Sequence, residues 1–142
     1  MTGVTTDEGK QTVMELVYQF DSTKRGAGNL LCGLFINTGA GGAAGDVLTS
    51  ASTLSDIVPQ TGTGYSQATL TNATWVVATD GDTSYTSATT TFTASGADWD
   101  DVYGYYIETA GGILLHYEYN ASAPVAVANG ESYVVDLTNI LD

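Results

Sequence analysis

"DVYGYYIETAGGILLHYEYN", residues 101–120, decides the fold. Two runs rich in aromatic and β-branched residues, "DVYGYYIET" and "ILLHYEY", stand on either side of Ala110-Gly111-Gly112. Such residues suit a pleated, half-buried surface, and a short glycine connection between two such runs marks an antiparallel hairpin. In the second run, strict alternation sets Leu114, His116 and Glu118 on one expected face and Leu115, Tyr117 and Tyr119 on the other.

Working outward, the same pattern continues in both directions. Upstream lie "YSQATLT" (65–71), "TWVVAT" (74–79) and the Thr-rich "SYTSATTTFTA" (84–94). Downstream come "PVAVANG" (124–130) and "ESYVVDLTNIL" (131–141), with Asn129-Gly130 expected as a further hairpin turn. "LLCGLFI" (30–36) is a continuous apolar run, short enough for a first strand over 29–36 buried on both faces. One helix is expected over 6–21, where Asp7 and Glu8 open the first turn and Val13, Leu16, Val17 and Phe20 recur at helical spacing. Residues 37–64 shift to Gly, Ala, Ser and Thr and read as an extended surface loop, with Leu48, Leu54, Ile57 and Val58 touching the core partway. The expected architecture is all-β: a β-sandwich or jelly roll of about seven to eight short strands in a single domain, residues 1–142, with antiparallel strands filling 65–142.

Three Lys and Arg stand against sixteen Asp and Glu, a formal charge of −13. Phosphate neutralisation needs cations, so nucleic acid is excluded as a partner, and an anionic membrane surface would repel the chain. No apolar run approaches the roughly 20 residues a membrane helix needs. "MTGVTTDEGK" lacks a signal peptide's basic and apolar regions, so synthesis in the cytoplasm without export is expected. Cys32 is the single cysteine, so no intrachain disulfide forms, and it reads as a small buried hydrophobe. Asn72 and Asn120 match the glycosylation pattern, which has no consequence without a secretory route.

Groups for chemistry are sparse. His116 has Glu118 beside it but no second histidine, and it reads as structural. "DGDTSYTS" from Asp80 opens like a calcium loop, yet Tyr85 stands where the loop requires glycine and Thr91 where it requires glutamate, so an Asp-Gly hairpin turn is expected. Asp98, Asp100 and Asp101 flank Trp99 and read as a solvated turn, with calcium binding or carboxylate hydrolysis as the alternative. No phosphate-binding glycine motif or nucleophile elbow occurs. No enzyme, cofactor or metal site is expected.

Taken in order, "TDEGKQTVMELVYQ", "NLLCGLFINT", "TLSDIVPQTGTGYSQATLTNATW", "ATTTFTASGADWDDVYGYYIETAGGILLHYEY" and "VANGESYVVDLTNI" resemble a group of small virion proteins of tailed bacteriophages. Tyr65 after Gly64 is similar to that group's strand-leading tyrosine, with Ser66-Gln67 where an Ala-Arg often stands. Phe92, Trp99 and Val102 resemble core positions, Gly111-Gly112 with Leu114-Leu115 the hairpin, and Gly130-Glu131 the last turn. The resemblance implies a head decoration (cement) protein or a tail or fibre component. A cement protein would sit on the outer capsid surface of the virion, as a homo-trimer bridging neighbouring major capsid proteins. Lys10, Lys24 and Arg25, with Tyr18, Phe20, Leu48, Leu54 and Ile57, are the expected partner contacts. A fibre component would instead offer Tyr103, Tyr105 and Tyr106 to a host-surface ligand, and a calcium- or sugar-binding β-domain is the third reading.

Overall fold

The computed structural model describes residues 29–39, 47–71, 75–77, 84–87 and 89–140, with 75–77, 84–87 and 138–140 described as backbone alone. The helix expected over 6–21 lies outside the described residues. Within them the structure is antiparallel β, interrupted by a 3-10 turn at Leu54–Asp56. The strands are β1 (Leu30–Phe35), β2 (Ala68–Leu70), β3 (Trp75–Val77), β4 (Ser84–Ser87), β5 (Thr90–Thr93), β6 (Gly104–Glu108), β7 (Leu114–Tyr119), β8 (Ser132–Val135) and β9 (Thr138–Ile140). They pair as β2-β1-β6-β7, as β3-β4-β9 and as β5-β8. The last two ladders join the same two chain stretches, because β4 leads into β5 and β8 into β9. The register slips by one residue between Thr86↔Thr138 and Thr90↔Val135.

The apolar run of β1 is explained by its place inside the four-stranded sheet, between β2 and β6. Leu30, Cys32 and Leu34 enter one core cluster with Tyr105 and Ile107 of β6, Phe92 of β5, and Tyr133 and Val135 of β8. Phe35 faces the other way, into a second cluster with Tyr106. Gly33 is the partner of Tyr106, and a Cβ there would stand 2.5 Å from the Tyr106 ring, so the strand carries a glycine where the ring crosses it.

The pairing of β1 with β2 ends at Cys32↔Ala68. Beyond it the β1 edge is completed by Tyr65, whose hydroxyl accepts the Leu34 N–H at 2.7 Å. Tyr65 reaches that position through a turn closed by its N–H on the Gly62 carbonyl, with Gly64 at φ 78° as the third residue, as a type II turn requires. The Tyr65 ring stacks on Phe92 at 5.9 Å and meets Trp99 edge-on at 5.4 Å. Trp99 in turn donates its indole N–H to the Thr63 carbonyl, and a Cβ at Gly62 would overlap the indole. Phe92, Trp99 and Val102 are all buried in the first cluster.

The long loop packs along the outer side of the sheet. Leu48 and Ile57 are buried against Phe35 and Tyr106, with Leu54, Leu114, Tyr117 and Tyr119 half-buried around them, whereas Val58 is exposed. Two buried amides fasten it. Asn37, 0% exposed, donates to the Asp56 carbonyl at 2.8 Å and accepts the Val58 N–H at 2.7 Å. Gln60, 1% exposed, donates to the Asp100 carbonyl at 2.7 Å and accepts the Thr61 and Gly62 N–H groups at 2.9 Å. Backbone bonds from Ile36 to Val58 and from Gln60 to Leu34, both 2.9 Å, add a short bridge to β1.

Three local expectations need correction. The β6–β7 hairpin forms as expected around Gly112 (φ 83°), but a bulge follows it: Ile107 pairs with His116 and Glu108 with Leu114. The extra residue exchanges faces. Leu115 therefore packs on the first cluster, while Leu114 joins Tyr117 and Tyr119 at the second. The run 84–94 is two strands, β4 and β5. Asn129-Gly130 does form a turn, with Gly130 at φ 89° and the Glu131 N–H on the Ala128 carbonyl at 2.8 Å, yet the two sides of that turn do not pair with each other. Val125 and Val127 bond back to Val102 and Trp99, and β8 leaves to pair with β5. The β3–β4 pair is antiparallel from Trp75↔Ser87 to Val77↔Tyr85, as an Asp-Gly hairpin demands, and its turn lies outside the described residues.

Candidate functional site

All three basic residues of the chain, Lys10, Lys24 and Arg25, precede residue 29 and lie outside the described residues, as do Tyr18 and Phe20. The described part therefore contains carboxylates and no Lys or Arg. Its acids are held by neutral donors. Asp56 accepts the Thr53 N–H, Asp98 the Asn129 N–H and Asp136 the Thr89 hydroxyl, at 2.7–2.8 Å. Glu131 accepts the Ala128 N–H at 3.2 Å. Each such bond satisfies a carboxylate without an ion pair among the described residues.

The other expected contact residues separate by burial. Leu48 and Ile57 are 7% exposed and fasten the loop to the sheet, and Leu54 is half-buried beside the hairpin glycine Gly112. Tyr105 and Tyr106 are buried and Tyr103 half-buried, so the three rings do not form an exposed stacking platform. Asp98 braces the turn at Asn129, and the Asp100 carbonyl receives Gln60. Among the described residues no three His, Cys, Asp or Glu side chains converge as metal ligands would.

Two isolated titratable groups have structural surroundings. Cys32 is fully buried in β1, and desolvation pushes its thiol up to about 12. His116 is half-buried against the Tyr105 ring, 5.9 Å away, with its Nε2 4.0 Å from Glu118 Oε2. Burial lowers the His116 pKa, and the Glu118 charge opposes that in part. A buried acid was missed in the sequence: Glu108, 8% exposed, takes a hydrogen bond from Gln67 Nε2, which also donates to the Tyr106 hydroxyl at 2.8 Å.

Among the described residues a cleft of about 250 Å³ opens between the end of β7 and β8. Tyr105, Glu118, Tyr119 and Asn120 line one side, and Tyr133, Val134 and Asp136 the other. Its groups are pre-positioned by bonds among themselves. The Tyr105 hydroxyl donates to Glu118 Oε2 at 2.7 Å, and Asn120 Nδ2 donates to the Tyr133 hydroxyl at 2.7 Å. Asn120 Oδ1 accepts the Ser122 N–H at 2.8 Å, which fixes the amide's orientation. Burial raises the Tyr133 pKa, moderated by the Asn120 bond and reinforced by the Glu118 charge, so this hydroxyl stays protonated at neutral pH. The cleft thus offers phenols, an amide and two carboxylates, with no Lys or Arg among the described residues beside them. Nothing in the local pattern "HYEYN" or "YVVD" marks these residues, because they meet only through the tertiary approach of β7 and β8.

Comparison with family models, with curated proteins and with solved structures finds no match for this chain.

Proposed function

We propose that this chain is a virion structural protein: a decoration (cement) protein on the outer capsid surface of a tailed phage, bridging neighbouring major capsid proteins. In this reading the fold is a β-sandwich of the jelly-roll kind. The β2-β1-β6-β7 sheet is one layer, and the broken β3-β4/β5-β8/β9 sheet is the other.

The observation that carries the reading is the confinement of every Lys and Arg to the first 25 residues, among Asp7, Glu8, Glu15 and Asp21. The β body presents carboxylates without a Lys or Arg, while Lys10, Lys24 and Arg25 are confined to the stretch before β1. Such a body is repelled by packaged DNA and favours the outer face of a shell, with the Lys10, Lys24 and Arg25 side chains as the contacts to an acidic capsid surface. In the same reading, the residues that carry the resemblance, Tyr65, Phe92, Trp99, Gly112 and Gly130, serve as turns and core contacts. Assembly as a homo-trimer would suit the threefold and quasi-threefold positions of a shell.

Copy number per particle tests this, by quantitative mass spectrometry of purified virions. A count near that of the major capsid protein is expected. A handful of copies would assign the chain to the tail or a fibre, and absence from the particle would overturn the virion reading.

A further inference from the structure

We infer that the cleft between β7 and β8 receives an extended segment of a partner polypeptide bearing an arginine or lysine, laid along β8 as an added strand. The inference uses none of Lys10, Lys24 and Arg25, and the segment is identified by its basic side chain.

Three observations converge on it. First, β7 pairs with β6 and β8 with β5, and among the described residues neither strand has a ladder on its other side. Strand edges offer rows of backbone donors and acceptors, which is the basis of recognition by strand addition. Second, the cleft of about 250 Å³ opens between these two strands, and Val134 stands at its mouth 53% exposed. An apolar side chain so placed is the contact that an incoming strand would cover.

Third, the charge selects the occupant. Glu118 and Asp136 each accept one neutral hydroxyl, from Tyr105 and Thr89, through one oxygen. Among the described residues no Lys or Arg stands beside them, and the nearest titratable nitrogen is His116 Nε2, 4.0 Å from Glu118 Oε2. A guanidinium or ammonium entering there gains two carboxylates and the faces of tyrosine rings. An acidic strand, including one from the β body of a second copy, is repelled by the same pair, so the edge is guarded against self-pairing while staying open to a basic segment. A neutral saccharide would also find phenols and an amide, but it would leave both charges uncompensated.

The test uses the full-length chain, 15N-labelled, titrated with acetyl-Thr-Val-Arg-Val-Thr-amide and with the same peptide carrying Glu for Arg. The arginine peptide should shift the amides of Glu118, Asn120 and residues 132–136 saturably, with the glutamate peptide silent. The double substitution Glu118→Gln and Asp136→Asn keeps both hydroxyl acceptors and should weaken binding about tenfold, the loss expected from two partly exposed ion pairs. Val134→Lys, at an exposed position that does not threaten folding, should abolish it. Absence of saturable shifts up to about 10 mM peptide overturns the proposal, a concentration that already corresponds to negligible affinity. Equal binding of the glutamate peptide, or shifts produced instead by N-acetylglucosamine oligomers, would overturn it as well.

Discussion

Gln60 offers the sharpest test of how the long loop is held. Its side chain is almost fully buried and makes three hydrogen bonds of 2.7–2.9 Å, to the Asp100 carbonyl and from the Thr61 and Gly62 N–H groups. Gln60→Leu keeps the volume and removes all three. A buried group left without a partner costs about 1–3 kcal/mol. Thr61 is exposed and Gly62 half-buried, so water can reach those amides and the lower end of the range applies. The expected loss is therefore about 3 kcal/mol in total. For a domain of this size that is a fall in Tm of about 10 °C. Calorimetry gives the global figure, and amide exchange gives its location. Exchange should accelerate most at Ile36 and Gln60, whose N–H groups bond to Val58 and Leu34 at the loop's attachment. It should accelerate least at Cys32 and Ile107, which pair inside the sheet. A Tm change below about 2 °C, less than one such hydrogen bond, would refute the idea that this amide anchors the loop. Uniform acceleration across β1 and β6 would refute the local mechanism even if the Tm fell.

Gly62→Ala should destabilise by about 1–3 kcal/mol, because the new Cβ overlaps the buried Trp99 indole; near-wild-type urea unfolding would show that Trp99 is free to move. Gly104→Ala should be worse, since its Cβ meets the Glu118 carbonyl and the Phe35 ring, and soluble folded protein from that variant would contradict the packing described. With the Cys32 thiol at about 12, its thiolate fraction at pH 8 is of order a thousandth of that in the unfolded chain. Iodoacetamide should therefore label native protein at least about a thousandfold more slowly than protein in urea, and comparable rates would refute the burial. His116 binds a proton less readily folded than unfolded, so its contribution to stability is present above about pH 6.5 and is lost as pH falls through its lowered folded value. His116→Gln should flatten urea stability as pH falls below about 6.5, and an unchanged slope would assign acid sensitivity elsewhere.

Much of the frame was legible because it rests on local chemistry. The glycines of the 110–113 turn and the alternation around it specify a hairpin whatever the rest of the chain does. The run 30–36 announces a central strand because a strand covered on both faces has no place for polar residues. Gly64-Tyr65 was legible as a turn into a strand, though not the service of the Tyr65 hydroxyl to Leu34. Contacts that depend on one residue of register were not legible. The bulge that carries Leu115 to one face and Leu114 to the other leaves no mark in "ILLHYEY", where strict alternation reads equally well.

The sequence by itself determined the antiparallel β class, the central apolar strand, the lack of a second cysteine to pair with Cys32 and the confinement of Lys and Arg to the first 25 residues. These follow from side-chain type and period, which are properties of neighbours along the chain. Only the tertiary structure decided that Leu48 and Ile57 face inward, that Asn37 and Gln60 are buried fasteners, and that Glu118 and Asp136 line one cleft. Each depends on which surfaces meet after folding. Asparagine, glutamine and glutamate are as common in solvent as in a satisfied interior, so their identity carries no signal until their partners are known.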